Sequence, residues 1–136
     1  MSTDLAPAHI YHREINHDIR TSLSVISDLI GRDARVLDLG TGSGALGKHL
    51  SQTQGCQVDG LTYNAQEAEI ARPYYRRIEV ADLERCSLPD IFEHAYYDYI
   101  VCADVLEHVR NPERIAESCK DLLAPSGQLI VSVPNL

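Results

Sequence analysis

Residues 36–44 read Val-Leu-Asp-Leu-Gly-Thr-Gly-Ser-Gly, a short apolar run that stops at Gly40, Gly42 and Gly44. Val36, Leu37 and Leu39 suit a buried strand, and Ala45, Leu46, His49 and Leu50 continue beyond the glycines at helical spacing. A strand, a tight glycine turn and a helix start form the front end of a nucleotide-binding α/β unit. Glycine belongs where a side chain would hold a ligand away from the backbone. The free N–H groups and positive dipole end of the helix favour a polar or anionic ligand.

The 136 residues are expected to form one domain, 1–136, with an irregular stretch over 1–13. A net charge of −8 argues against a broad nucleic-acid surface, which needs a basic face. Arg72, Arg76 and Arg77 form a local basic cluster and read as a solvated helix end. No run of 18 apolar residues offers a membrane span, and Met-Ser-Thr-Asp begins no signal peptide. Cys56, Cys86, Cys102 and Cys119 form no C-x-x-C pair, which fits free thiols in a cytoplasmic protein. His9, His12 and His17 lack a carboxylate or cysteine at a recognised spacing, so no metal site is expected.

Along the chain, Ile15, Ile19, Leu23, Ile26, Leu29 and Ile30 predict an amphipathic helix ended by Gly31. Strands are expected at 35–39, 56–61, 77–81, 99–103 and 128–133, the last after a Pro125-Ser-Gly127 turn. Helices are expected at 43–53 and 65–72, the latter stopped by Pro73, with a helical turn at 88–94. Asn111-Pro112-Glu113 opens a further helix, with Asn as cap, Pro at the first position and an acid in the first turn. Ile115, Ala116, Cys119, Leu122 and Leu123 form its buried stripe. Alternating strands and helices mean a parallel sheet with helices on both faces.

Two fingerprints overlap in the glycine turn. Gly42-Ser-Gly44-Ala-Leu-Gly47 fits the dinucleotide pattern G-x-G-x-x-G, and Asp38-Leu-Gly40-Thr-Gly42-Ser-Gly44 fits E/D-x-G-x-G-x-G. Two further segments accompany it: Val80-Ala-Asp-Leu-Glu84, and Tyr97-Asp-Tyr-Ile-Val-Cys-Ala-Asp-Val-Leu-Glu-His108 continuing through Asn111-Pro-Glu113 to Leu122-Leu-Ala-Pro-Ser-Gly-Gln-Leu-Ile-Val-Ser-Val-Pro134. With these three segments the chain, from about residue 30 onward, resembles the class I S-adenosylmethionine-dependent methyltransferases, nearest to their small-molecule and glycan-associated branch. The resemblance implies a Rossmann-like doubly wound sheet of about five strands in the order 3-2-1-4-5. It implies S-adenosylmethionine as cofactor, held by Asp38, Gly40, Thr41, Gly42 and Gly44 at the first strand end. Thr62 and Tyr63 follow at the second, Asp82 and Leu83 at the third, and Cys102, Ala103 and Asp104 at the fourth. Asp82 would accept from the adenine amino group and the Leu83 N–H would contact the ring. A dinucleotide enzyme normally has an apolar residue in the place of Asp38, because pyrophosphate is anionic.

The chain departs from that pattern in two places. The family usually carries an acid for the ribose hydroxyls where Thr62 stands, and charge-assisted hydrogen bonds contribute roughly 1.5–3 kcal/mol each. Weakened cofactor binding is expected unless a neighbour such as Asn64 compensates, with Asp59 pointing elsewhere. The family core also has two more strands, so the chain is expected to be truncated at its C-terminus. Strand five would then be left as an apolar edge open to pairing with a second copy. His108 is the candidate general base, Glu107 the second. The implied reaction is methyl transfer to a small molecule or sugar. Non-catalytic binding of S-adenosylmethionine or S-adenosylhomocysteine is the alternative, and NAD binding the remote one. Ala103-Asp-Val-Leu replaces the Asn/Asp-Pro-Pro-aromatic motif of nucleobase amino-methyltransferases, which disfavours that chemistry.

Overall fold

A computed structural model of the chain describes residues 19–132 apart from 94 and 104. Five parallel strands form one sheet: β1 (Arg35–Leu39), β2 (Gln57–Thr62), β3 (Arg77–Val80), β4 (Tyr97–Ala103) and β5 (Leu123–Ser132). Their order is β3-β2-β1-β4-β5, as expected from the resemblance. The helices are α1 (Ile19–Leu29), α2 (Ala45–Thr53), α3 (Ala65–Ala71), the single turn α4 (Leu88–Ile91) and α5 (Pro112–Lys120). Residues 1–13, the start of the first expected helix and His9, His12 and His17 lie outside the described residues.

Strand alternation sorts the core into two layers. Val36, Val58, Ile78 and Val101 pack with Ile26, Leu46, Leu50, Ala68 and Ala71 under α1, α2 and α3. Leu37, Leu39, Leu61, Ile100 and Cys102 pack with Leu88, Phe92, Ile115 and Cys119 under α4 and α5. Asn111 caps α5 as its sequence predicts, accepting from the Arg114 N–H at 3.1 Å.

Several boundaries differ from the sequence expectation, Leu122 and Leu123 of the expected α5 stripe lying beyond the helix end, and four of the differences have a local cause. α2 starts at Ala45, because Gly44 at its cap has φ of 97°. Pro73 sits inside a 3-10 turn, Arg72–Tyr74, that follows α3 directly. β4 begins two residues early, at Tyr97, whose N–H donates to the Leu122 carbonyl at 2.8 Å. The expected Pro-Ser-Gly turn is a bulge inside β5, between the pairs Tyr97–Leu123 and Tyr99–Gln128. A bulge tolerates Pro125, which has no N–H to donate. Gly127 lets it lie against β4: a Cβ there would be 2.7 Å from the Tyr97 carbonyl oxygen.

The arginines of the local cluster are exposed or half-exposed, and each is paired with an acid. Arg76 donates to both oxygens of buried Asp59, at 3.0 and 2.6 Å, and the Tyr97 hydroxyl adds a third bond at 2.6 Å. A buried carboxylate needs such partners, and Asp59 is thereby committed away from the second strand end. Arg72 pairs with Glu69, and Arg77 with Glu79. Among the described residues no helix is long and apolar enough to cross a membrane. All four cysteines are free thiols. The edge available for the expected self-pairing is the outer side of β5.

Tyr75 joins the two halves of the first βαβ unit. Its ring lies beneath the glycine turn, where a Cβ on Gly47 would be 2.2 Å from Tyr75 Cζ and one on Gly60 would be 3.0 Å from Cδ2. Gly47→Ala improves helix propensity by about 1 kcal/mol but must displace this ring. Overpacking of that kind costs about 1–3 kcal/mol. Urea denaturation is expected to find Gly47→Ala less stable than the parent chain; a stabilised variant would refute the packing assigned to Tyr75.

Candidate functional site

A cleft of about 760 Å³ opens at the carboxyl ends of the strands, within the size range of small-molecule sites. Gly40 closes it below β1, and Leu61, Thr62 and Tyr63 line it at the end of β2. Ala81, Asp82, Leu83 and Glu84, after β3, form one wall; Val105, His108 and Val109, after β4, form the other. Strand order reverses beside β1, which is where open parallel sheets bind ligands.

The glycines owe their identity to different neighbours. A Cβ on Gly40 would be 2.6 Å from Val105 Cγ2, and one on Gly44 would be 2.7 Å from Ala71 Cβ. Only at Gly42, with φ of 55°, would a Cβ meet nothing within 4 Å. The turn is pinned to β2 by the N–H groups of Gly40 and Thr41, which donate to the Leu61 carbonyl at 2.8 and 3.1 Å.

Gly40, Thr62, Tyr63, Asp82, Leu83 and His108 of the expected site line the cleft. Thr41, Gly42 and Gly44 belong to the turn behind it, and Cys102 is fully buried in the core beside Cys119. The Cys119 hydrogen bond, with burial, pushes the Cys102 thiol up, which makes it unreactive at neutral pH. Ala103 ends β4 away from the lining, and Asp104 lies outside the described residues.

Asp38 does not face the cleft. Its carboxyl is buried beneath the turn and accepts a hydrogen bond from the Tyr75 hydroxyl at 2.6 Å. The same hydroxyl accepts from the Gly47 N–H at 3.1 Å. Burial raises the Asp38 carboxyl to about 7, and the Tyr75 bond only partly offsets that rise. Burial and the neighbouring carboxylate push the Tyr75 phenol upward in turn.

Thr62 is buried, and its hydroxyl lies 3.5 Å from Glu67 Oε1 while accepting from the Asn64 N–H at 3.2 Å. Asn64 is committed to capping α3, accepting from the Gln66 and Glu67 N–H groups at 2.9 and 3.0 Å. The carboxylate near the second strand end is therefore Glu67, one turn into a helix. A search confined to strand ends passes over it, as it passes over Glu84, Val105 and Val109. Asp82 Oδ1 accepts from the Glu84 N–H at 3.0 Å, and the Asp82 carbonyl accepts from Arg85 and Cys86 at 3.0 and 2.9 Å. The Leu83 N–H makes no hydrogen bond among the described residues.

Residues 11–136 match the family model of the methyltransferase domain. The chain is 32% identical over 114 residues to a ubiquinone biosynthesis O-methyltransferase of Neisseria meningitidis, covering 80% of this chain and 47% of that protein. It is 35% identical over 112 residues to the enzyme of that name from Glaesserella parasuis, covering 74% and 45%. The chain thus spans about half the length of the curated relatives it matches. Among solved structures, coclaurine N-methyltransferase bound to N-methylheliamine and SAH superposes with a TM-score of 0.71 at 24% identity, covering 82% of this chain and 35% of that one. A TehB-like SAM-dependent methyltransferase from Corynebacterium glutamicum gives 0.69 at 23% identity, covering 93% and 72%. The chain belongs to the methyltransferase domain family.

The Asp38 environment makes stability depend on pH. Its folded carboxyl is raised to about 7 from an ordinary 3.8, so within that window the native protein holds a proton that the unfolded chain has released. The resulting stabilisation is complete below the unfolded value and is lost as pH rises through the folded one, by at most ~1.4 kcal/mol per pH unit. Asp38→Asn, a neutral mimic, removes this dependence. In urea titrations the variant is expected to gain on the parent as pH rises across the window and to track it above; parallel curves throughout would contradict the assignment.

Proposed function

We propose that the chain binds S-adenosylmethionine in this cleft and forms the cofactor half of an enzyme that methylates a hydroxyl group on a small molecule. The observation that carries the reading is the convergence, at the strand ends, of Gly40 from the glycine turn, Thr62 and the Asp82–Leu83 turn on one cleft lined also by His108. Asp82 offers an acceptor and Leu83 an unbonded N–H, a pair that suits the amino edge of adenine. Thr62 with Glu67 serves the ribose in place of a single strand-end acid. Gly40, Thr41, Gly42 and Gly44 take the methionine part over the turn, and Tyr63 lines the cleft beside Thr62.

Bound S-adenosylmethionine supplies a methyl group already activated by its sulfonium. The protein must then hold the acceptor oxygen in line at about 3–3.5 Å and exclude water. His108 removes the hydroxyl proton, with Glu107 beside it in sequence, a contribution of about 10²–10⁴-fold when a base is positioned. Relatives named O-methyltransferases support a hydroxyl acceptor on a small molecule.

Titration calorimetry should show binding of S-adenosylhomocysteine and none of NAD. Gly42→Asn keeps a residue that tolerates positive φ but puts a side chain into the open space above the turn, and should weaken that binding at least tenfold. In transfer assays against phenolic acceptors, His108→Ala should reduce turnover by about 10²-fold or more. Undiminished binding in Gly42→Asn would reject the cofactor site. Binding of S-adenosylhomocysteine without transfer to any acceptor would favour the non-catalytic alternative.

A further inference from the structure

The turn after β3 is held from outside its own segment. Arg114, in the first turn of α5, donates from Nη2 to the Leu83 carbonyl at 3.3 Å and to the Glu84 carbonyl at 2.5 Å. The Asp82 carbonyl is bonded within the loop to Arg85 and Cys86. All three successive carbonyls of the turn are therefore occupied. In a trans peptide the N–H points opposite the carbonyl of the preceding residue. Fixing the direction of the Asp82 carbonyl thus fixes the direction of the Leu83 N–H, which makes no hydrogen bond among the described residues.

Arg114 ties the N-terminus of α5 to the Asp82–Glu84 wall of the cleft, 30 residues earlier in the chain. The guanidinium is exposed, so the contact adds little to global stability. Its effect is geometric: both N–H groups of one nitrogen reach consecutive carbonyls, and the rigid guanidinium plane sets their direction where an ammonium rotates freely.

We propose that Arg114 is a positioning residue of the S-adenosylmethionine site, locking the Asp82–Leu83 turn so that its carboxylate and N–H read the amino edge of adenine. This rests on the cofactor reading above. Adenine presents a donor amino group beside a ring acceptor; hypoxanthine presents an acceptor oxygen beside a ring N–H, the reverse pair. A locked turn distinguishes the two, and a loose turn does not.

The test is calorimetric titration of the parent chain, Arg114→Ala and Arg114→Lys with S-adenosylhomocysteine and with its hypoxanthine counterpart, S-inosylhomocysteine, alongside thermal melts. The parent should prefer the adenine compound. Arg114→Ala should lose about tenfold in affinity for it, equal to one well-placed hydrogen bond, and most of the preference, with the melting temperature unchanged. Arg114→Lys should recover part of both. Parent-like affinity and preference in Arg114→Ala would overturn the proposal. So would equal losses for both compounds accompanied by a lowered melting temperature, which mark a purely structural contact. Failure of the parent chain itself to bind S-adenosylhomocysteine would instead remove the cofactor reading on which the proposal stands.

Discussion

One buried hydroxyl fixes the geometry from which the site is built. The Tyr75 phenol donates to Asp38 at the end of β1 and accepts from Gly47 in α2, while its ring fills the space over Gly60 of β2. Three elements that surround the glycine turn are thereby held by a single side chain. Without that bond the Asp38 carboxyl would be buried with no recorded partner, and burying a polar group unbonded costs about 1–3 kcal/mol or more. The turn keeps its shape because its support from below is polar and its lateral contacts, Val105 against Gly40 and Ala71 against Gly44, leave no room for side chains.

This arrangement divides the labour between the faces of the motif. Asp38, the acid of the fingerprint, works inward on the scaffold, and the surface of the cleft is left to backbone, Thr62, Asp82, Glu84 and His108. A second buried carboxylate, Asp59, joins β2 to Arg76 and Tyr97. Both acids are satisfied by tyrosine hydroxyls that come from other elements, so the sheet is stitched by long-range polar bonds as well as by its apolar layers. The walls of the cleft, by contrast, are loops, and Arg114 ties one of them to α5.

Much of this was legible in the residues. Short-range patterns carried the strand at 35–39, the Asn111 cap of α5 and the end of α1, because each depends on a few neighbouring side chains. The strand order 3-2-1-4-5 came through the family resemblance and not through spacing. What was not legible depends on contacts between distant segments. The role of Tyr75 requires knowing that it lies beneath residues 38 and 47. The bulge at Pro125 requires the pairing of Tyr97 with Leu123. Arg76 looked like a surface charge because its partner is 17 residues earlier in the chain. Glycines at fixed spacing were readable as a turn, but their packing partners were not, so Gly42 could not be singled out as the position facing open space.

The claim on which the account stands is that a single cleft at the strand ends receives the cofactor. An amide-resolved NMR titration of the chain with S-adenosylhomocysteine tests it most directly. The account predicts that the large shifts gather at Gly40, Gly42, Thr62, Leu83 and Glu84, while the amides around Asp59 and the β5 bulge stay in place. Shifts concentrated away from the strand ends, or none at saturating ligand, would contradict it.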